Sequence, residues 1–195
     1  MRLYCATSNP GKLREFALAA EHLAAGAFSF EPLRGIPPCE ETGLTFEENA
    51  AQKAEYYSGF APGLCFAEDS GIEVDSLGGA PGVYSARFAG PGATDEENNQ
   101  RLIERLRGKP DRAARYVCVV ALAEQGEVVA AFRGQVEGVI VDEPRGGNGF
   151  GYDPHFFYPP FGCTFAEAAP EQKLEVSHRR IAVEQMLRYL LSGRR

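Results

Sequence analysis

Leu64-Cys65-Phe66-Ala67-Glu68-Asp69-Ser70-Gly71 sets four apolar residues directly against two acids, a serine and a glycine. An apolar run this short reads as a buried β-strand, because a helix needs at least ten or so residues of pattern. Glu68 and Asp69 then emerge where the strand ends, and Gly71 is where the backbone turns. In open α/β sheets ligands bind outside the carboxyl ends of strands. The acid pair is therefore a candidate for chemistry, against the plainer reading of two solvated loop acids.

Upstream, residues 2–7 (RLYCAT) read as a first strand, and Ser8-Asn9-Pro10-Gly11-Lys12 as its turn into a helix. Asn9 suits the N-cap and Pro10 the first helical position, while Leu13, Phe16, Ala17, Ala20, Leu23 and Ala24 make an apolar stripe that ends at Gly26. Free N–H groups and the helix dipole make such a turn an anion site, to which Lys12 adds a point charge. The alternative is an ordinary cap with a surface lysine. A capping box, Thr45 with Glu48, starts a second helix whose Phe46, Ala50, Ala54 and Tyr57 face inward. Asn49 and Lys53, at i and i+4, share a polar face and point with Glu41 into a common cleft, or else into solvent.

Downstream, Gly78 to Gly92 is rich in glycine and proline and reads as a long irregular loop. Thr94 and Glu97 form another capping box, for a helix with a narrow apolar stripe (Leu102, Ile103, Leu106) and a structural role. Tyr116 to Glu124 and Glu127 to Phe132 flank Gln125-Gly126, a two-residue hairpin turn, and Gln135 to Val141 continues the sheet. A hairpin beside strand–helix units predicts a mixed sheet. Pro144 to Pro154 is a second glycine-rich loop, in which Phe150 and Tyr152 are placed to stack on a ring or to plug the core. Ser177 caps a last helix whose first turn holds His178 and Arg179, cations set against the helix dipole, which suggests a bound anion or polar ligand.

The 195 residues predict a single domain, residues 1–195, large enough for a sizeable core. A net charge of −7 argues against nucleic-acid and anionic-membrane surfaces, so phosphate chemistry requires a local basic pocket. Five scattered cysteines without C-x-x-C spacing signal neither a disulfide framework nor a zinc site. The absence of a signal-like N-terminus or a long apolar run predicts a cytoplasmic protein. Nucleophilic triads and the common glycine-rich phosphate motifs are not readable. What remains is acids (Glu40, Glu41, Glu68, Asp69), lysines (Lys12, Lys53, Lys173), loop aromatics and a His-Arg pair. Hard carboxylates suit Mg²⁺, lysines around it suit a polyphosphate, and aromatics beside His-Arg suit a base. The set fits a nucleoside triphosphate undergoing metal-assisted hydrolysis.

Taken together, residues 7–12 (TSNPGK), Glu41-Thr42-Gly43 with Phe46 to Ala50 and Lys53-Ala54, Asp69-Ser70-Gly71, Leu77 to Gly82, Phe150 to Pro154 and Ser177-His178-Arg179 resemble the inosine/xanthosine triphosphate pyrophosphatases. The resemblance runs from Thr7 to about Arg180. It implies an α/β fold, an elongated mixed sheet flanked by helices in two lobes around a nucleotide cleft, and a homodimer with Mg²⁺ as cofactor. It also implies hydrolysis of non-standard purine triphosphates to the monophosphate and pyrophosphate. By the same resemblance Thr7, Ser8, Asn9, Pro10, Gly11 and Lys12 bind the triphosphate, and Asp69 is the catalytic acid-base group and a metal ligand. Ser70 touches substrate, and Glu41, or its neighbour Glu40, completes the metal site; the positions of Lys12 at a helix N-terminus and Lys53 on a polar helical face suit them to neutralise the triphosphate and the departing pyrophosphate. Phe150, Gly151, Tyr152, Asp153, Lys173, His178 and Arg179 line the nucleoside pocket. Two other readings are a non-catalytic nucleotide-binding protein of this fold and a phosphatase releasing orthophosphate.

Overall fold

The computed structural model describes residues 1–7 and 9–193, so Ser8, assigned above to the triphosphate, lies outside the described residues. Among them, seven strands join in one mixed sheet: β1 Arg2–Cys5, β2 Ser29–Pro32, β3 Cys65–Val74, β4 Ala113–Glu124, β5 Glu127–Ile140, β6 Phe156–Tyr158 and β7 Cys163–Thr164, in the order β2-β1-β3-β4-β5-β6-β7. β1 pairs parallel with β2 and β3, whereas β5–β6 and β6–β7 are antiparallel. The helices are α1 Pro10–Ala24, α2 Phe46–Ser58, α3 Asp95–Leu106, α4 Pro170–Val176 and α5 His178–Leu191. The expected mixed α/β sheet with flanking helices is what forms. Gln125 and Gly126, at φ 53° and 85°, supply the left-handed turn that a two-residue hairpin requires.

Residue contacts divide the chain into two compact units. The first holds Met1–Asp69, Cys118–Gly134 and the chain from His178 on. Leu3 and Cys5 of β1, Phe16 of α1, Phe66 of β3, Val120 and Leu122 of β4, and Met186 and Leu187 of α5 form its core. Phe16, Phe30 and Phe66 meet edge-to-face, the arrangement that ring quadrupoles favour. α5 lies so close to β5 at Gly134 that a Cβ there would stand 2.1 Å from the His178 carbonyl oxygen. Only glycine admits that approach, which seats the first turn of α5. Cys5, Cys65 and Cys118 are buried and every cysteine is a free thiol; burial pushes Cys5 to about 11 and Cys65 to about 12, as for small core hydrophobes.

The second unit holds Ser70–Val117 and Gln135–Ser177. Its core gathers Ile72 and Val74, Leu102 and Leu106 of α3, Val136 and Ile140 of β5, and the rings of Tyr116, Phe156 and Phe165. The segment Gly78 to Gly92, read as an irregular loop, is partly helical, with a 3₁₀ turn at Gly82–Arg87; another, Asp75–Leu77, directly precedes it. Strands β2, β6 and β7 and helix α4 were not anticipated; each spans seven residues or fewer, too short for a periodic pattern.

The largest departure from expectation is β3. It does not end at Ala67 but runs ten residues to Val74, so Glu68, Asp69, Ser70 and Gly71 sit in mid-strand. Ile72 and Val74 carry the two-residue alternation onward, and both are fully buried. Gly71 is therefore no turn. A Cβ on it would stand 2.3 Å from Ser85 Oγ and 2.7 Å from the Gly82 carbonyl oxygen. Ser85 Oγ there accepts from Ile72 N at 2.9 Å and donates to Gly82 O at 2.7 Å. Gly71→Ala should destabilise by roughly 1–3 kcal/mol through overpacking, read as a lower denaturation midpoint at unchanged m-value; an unchanged midpoint would show that the contact yields.

Candidate active site

In the first unit the strand geometry decides everything else. Successive side chains of a strand point to opposite faces, so the adjacent acids Glu68 and Asp69 part company. Each meets a lysine from a different helix. Glu68, 7% exposed, pairs with Lys12 Nζ of α1, and Cys118 Sγ lies 3.6 Å from its other oxygen. Burial alone would raise the Glu68 carboxyl, but Lys12, Arg179 and Lys53 hold it well below the usual carboxylate range. A carboxyl held down in this way stabilises the fold above its unfolded value near ~4.3, and that contribution is lost as pH falls.

Asp69 meets α2. Lys53 Nζ donates to Asp69 Oδ1 at 3.0 Å and to Glu41 Oε2 at 2.8 Å, so one ammonium is shared by two carboxylates. Asn49 Nδ2 adds a bond to Asp69 Oδ2 at 3.2 Å. Burial tends to pull the Lys53 ammonium down, but Asp69, Glu41 and Glu68 outweigh it and the net shift is upward. The Asp69 carboxyl also moves up: burial leads, Glu41 adds to it, and a shared Lys53 with Asn49 only partly offsets them.

Glu41 reaches this group because residues 39–43, outside any strand, are fastened along α2. Cys39 N donates to Tyr57 Oη at 3.1 Å, Thr42 N to Gln52 Oε1 at 3.1 Å, and Gly43 N to Asn49 Oδ1 at 2.8 Å. Gly43 sits so tightly on the helix start that a Cβ would stand 2.7 Å from Asn49 Oδ1 and Glu48 Cβ. The face holding Asn49 and Lys53 is thus covered by β3 and residues 39–43 and is not a solvated one. Glu40 is exposed and shares in none of these bonds.

The α1 turn differs from the expected open anion site. Asn9 Oδ1 already accepts from Gly11 N at 2.9 Å and Lys12 N at 3.3 Å, and Thr7 Oγ1 accepts from Asn9 N at 3.2 Å. Two of the N–H groups counted as free are capped, and Lys12 is tied to Glu68. An anion here meets Asn9 as a competitor. Farther along the chain, His178 and Arg179 open α5 almost fully buried, at 2% and 6% exposure, with Arg179 Nη1 3.5 Å from Glu15 Oε2. The carboxylates of Glu15 and Glu68 answer a cation that the helix dipole disfavours.

In the second unit the glycine-rich loop is bonded at nearly every residue. Asp153, 1% exposed, accepts from Phe150 N at 3.0 Å and Tyr116 Oη at 3.1 Å, and pairs with Lys173 Nζ. The Lys173 ammonium stands 4.9 Å from the Phe150 ring centroid. Tyr152 is buried, and its hydroxyl donates to Ser85 O at 2.7 Å. Of the two loop aromatics, Phe150 alone keeps a ring in the open, 47% exposed. Ser70 follows Asp69 on β3. An open cavity of about 680 Å³ between α3 and this loop touches Phe150 and Gly151 but none of the lysines or paired acids described above. Among the described residues, no group of three or more His, Cys, Asp or Glu side chains converges as a protein-only metal cage.

The sheet and its flanking helices define an α/β protein whose first unit pairs buried carboxylates with lysines and whose second unit carries a glycine-rich loop with an exposed aromatic ring. Comparison with known proteins gives the family: residues 3–189 match the Ham1 family, and the chain belongs to it. It is 48% identical to a dITP/XTP pyrophosphatase of Acidobacterium capsulatum, over 96% of this chain and 97% of that one. The chain of that name from Listeria monocytogenes is 45% identical, over 95% and 92%. A solved HAM1 protein from Coxiella burnetii superposes with a TM-score of 0.90 at 38% identity, covering 98% of this chain and 99% of that one.

Two outcomes follow from the charges. Lys12→Met leaves Glu68 buried without its nearest cation; the loss of stability at pH 7 should reach at most the ~3–5 kcal/mol of a broken buried pair, since Arg179 and Lys53 remain. Adding Glu68→Gln should restore part of it, and the gap between wild type and Lys12→Met should narrow as pH falls below ~4.3. Denaturant titrations across pH check this. Asn49→Ala removes a donor that lowers Asp69, so the Asp69 carboxyl resonance should titrate at higher pH than in wild type; an unchanged or lower midpoint would contradict the bond's role.

Proposed function

We propose that this chain hydrolyses non-standard purine nucleoside triphosphates, dITP, ITP and XTP, to the monophosphate and pyrophosphate. The observation that carries the reading is the Lys53 ammonium held between Glu41 and Asp69, on a chain nearly half identical to dITP/XTP pyrophosphatases. In the proposed step Asp69 takes a proton from a water whose oxygen bonds to the α-phosphorus. The α–β bridging oxygen departs with pyrophosphate, and the proton leaves Asp69 for solvent. A carboxyl raised by burial is a better base than an ordinary aspartate. Lys12 and Lys53 offset the charge of the triphosphate and of the leaving pyrophosphate. The turn Thr7 to Lys12 holds the phosphates, with Asn9 giving up its N–H partners when they arrive.

The donor set also fits Mg²⁺, which takes one or two carboxylates and completes its shell with water and substrate oxygens. Asp69 and Glu41 are the proposed ligands, because Glu41 is the acid brought to Asp69 while Glu40 is not. The metal would polarise the phosphate oxygens. For the nucleoside, the proposed contacts are Ser70, the loop from Phe150 to Asp153, Lys173, His178 and Arg179, with the half-exposed Phe150 ring to stack on the base. Arginine offers only donors, which suit the C6 oxygen of hypoxanthine and xanthine and not the amino group of adenine. Dimerisation and a cytoplasmic location are proposed with this reading; none of the described helices is long and apolar enough to cross a membrane.

The test is turnover of dITP, XTP, ITP, ATP and GTP with and without Mg²⁺, with pyrophosphate resolved from orthophosphate. Pyrophosphate from the first three, in the presence of Mg²⁺, is the expected result, whereas orthophosphate alone would mean another reaction. Asp69→Asn should keep the fold and lose ~10²–10⁴-fold in kcat. Near-normal turnover in that variant would remove Asp69 from the chemistry.

A further inference from the structure

Helix α3 was expected to be structural, yet its polar face holds the centre of the glycine-rich loop. Asp95 and Asn99 are four residues apart and therefore lie one above the other on that helix. Both reach Gly151: its N–H donates to Asp95 Oδ2 at 2.6 Å, and its carbonyl accepts from Asn99 Nδ2 at 2.9 Å. Gly151 is at φ 63°, the left-handed region that glycine accepts without cost. Its two neighbours have opposite fates. Tyr152 turns inward and is buried, while Phe150 leaves its ring half in the open. Asp153 closes the other side of the turn through Phe150 N, and a Cβ on Gly149 would stand 2.0 Å from Asp153 Oδ2.

We propose that Asp95 and Asn99 are positioning residues for the nucleoside: by gripping both polar groups of Gly151 they fix the direction in which Phe150 presents its ring. The proposal rests on the reading of this loop as the nucleoside contact. A platform held before the ligand arrives does not have to be ordered on binding, so the clamp acts on affinity for the base-bearing end. Stacking is made equally in the ground and transition states, so its loss appears in KM and not in kcat. The triphosphate end does not use it.

Asn99→Asp is nearly isosteric and replaces the donor facing the Gly151 carbonyl by an acceptor. KM for dITP should rise about five- to ten-fold, the worth of one or two hydrogen bonds, with kcat within about two-fold. Inorganic tripolyphosphate, which has no base, should inhibit wild type and variant with the same constant. Asp95→Ala should raise KM in the same way, and Asp95→Asn, which keeps an acceptor oxygen, should restore it. If Asn99→Asp fails to fold, the two Asp95 variants carry the test. An unchanged KM for dITP, an equal loss of tripolyphosphate binding, or no rescue in Asp95→Asn overturns the clamp. Failure of the wild type to turn over dITP and XTP overturns the underlying reading instead.

Discussion

Two adjacent acids in the middle of a buried strand have to be answered by cations, and the pleat of the strand gives each acid a different lysine as its bonded partner. Glu68 and Asp69 point to opposite faces of β3, and the chain supplies Lys12 from α1 to one and Lys53 from α2 to the other. An uncompensated buried charge costs several kcal/mol, enough to decide a marginally stable fold. The placement of both helices in the first unit is therefore tied to these two carboxylates, one of which, Asp69, is the acid of the proposed chemistry.

The two pairs are not equivalent. Glu68 has a lysine to itself with Arg179 and Lys53 in support, and is held firmly ionised. Asp69 shares its lysine with Glu41 and leans on Asn49, and its carboxyl ends above the ordinary aspartate value. Neighbouring carboxyls of the same charge thus acquire different proton affinities from the number of partners each commands. That division suits one acid to electrostatic support and the other to proton transfer.

In the second unit the constraint is geometric. A loop dense in glycine would cost conformational entropy to hold in one shape, and it is held by bonds to Asp95, Asn99, Tyr116, Lys173 and Ser85. Asp153 has partners on both carboxylate oxygens, which places it within the loop's own scaffold. The same backbone economy appears at Gly43, Gly71 and Gly134, where the missing side chain admits a neighbouring atom at close range.

Local chemistry was legible in the residues alone. Both capping boxes, the Asn9 cap and the Gln125-Gly126 turn follow from contacts within a few residues, where short-range sterics and hydrogen bonding decide. The residues resembling the triphosphate pyrophosphatases were readable for the same reason, as compact motifs at fixed spacing. Contacts distant in sequence were not. That β3 runs on through Gly71 depends on Ser85, and that Glu41 rather than Glu40 meets Lys53 depends on the rungs from residues 39–43 to α2. That Asn9 caps the N–H groups expected to be open, and that α3 grips Gly151, also appear only in three dimensions. Period and propensity describe a residue's neighbours along the chain; which acid finds a cation, and which glycine a crowding atom, is decided by what the folded chain brings beside it.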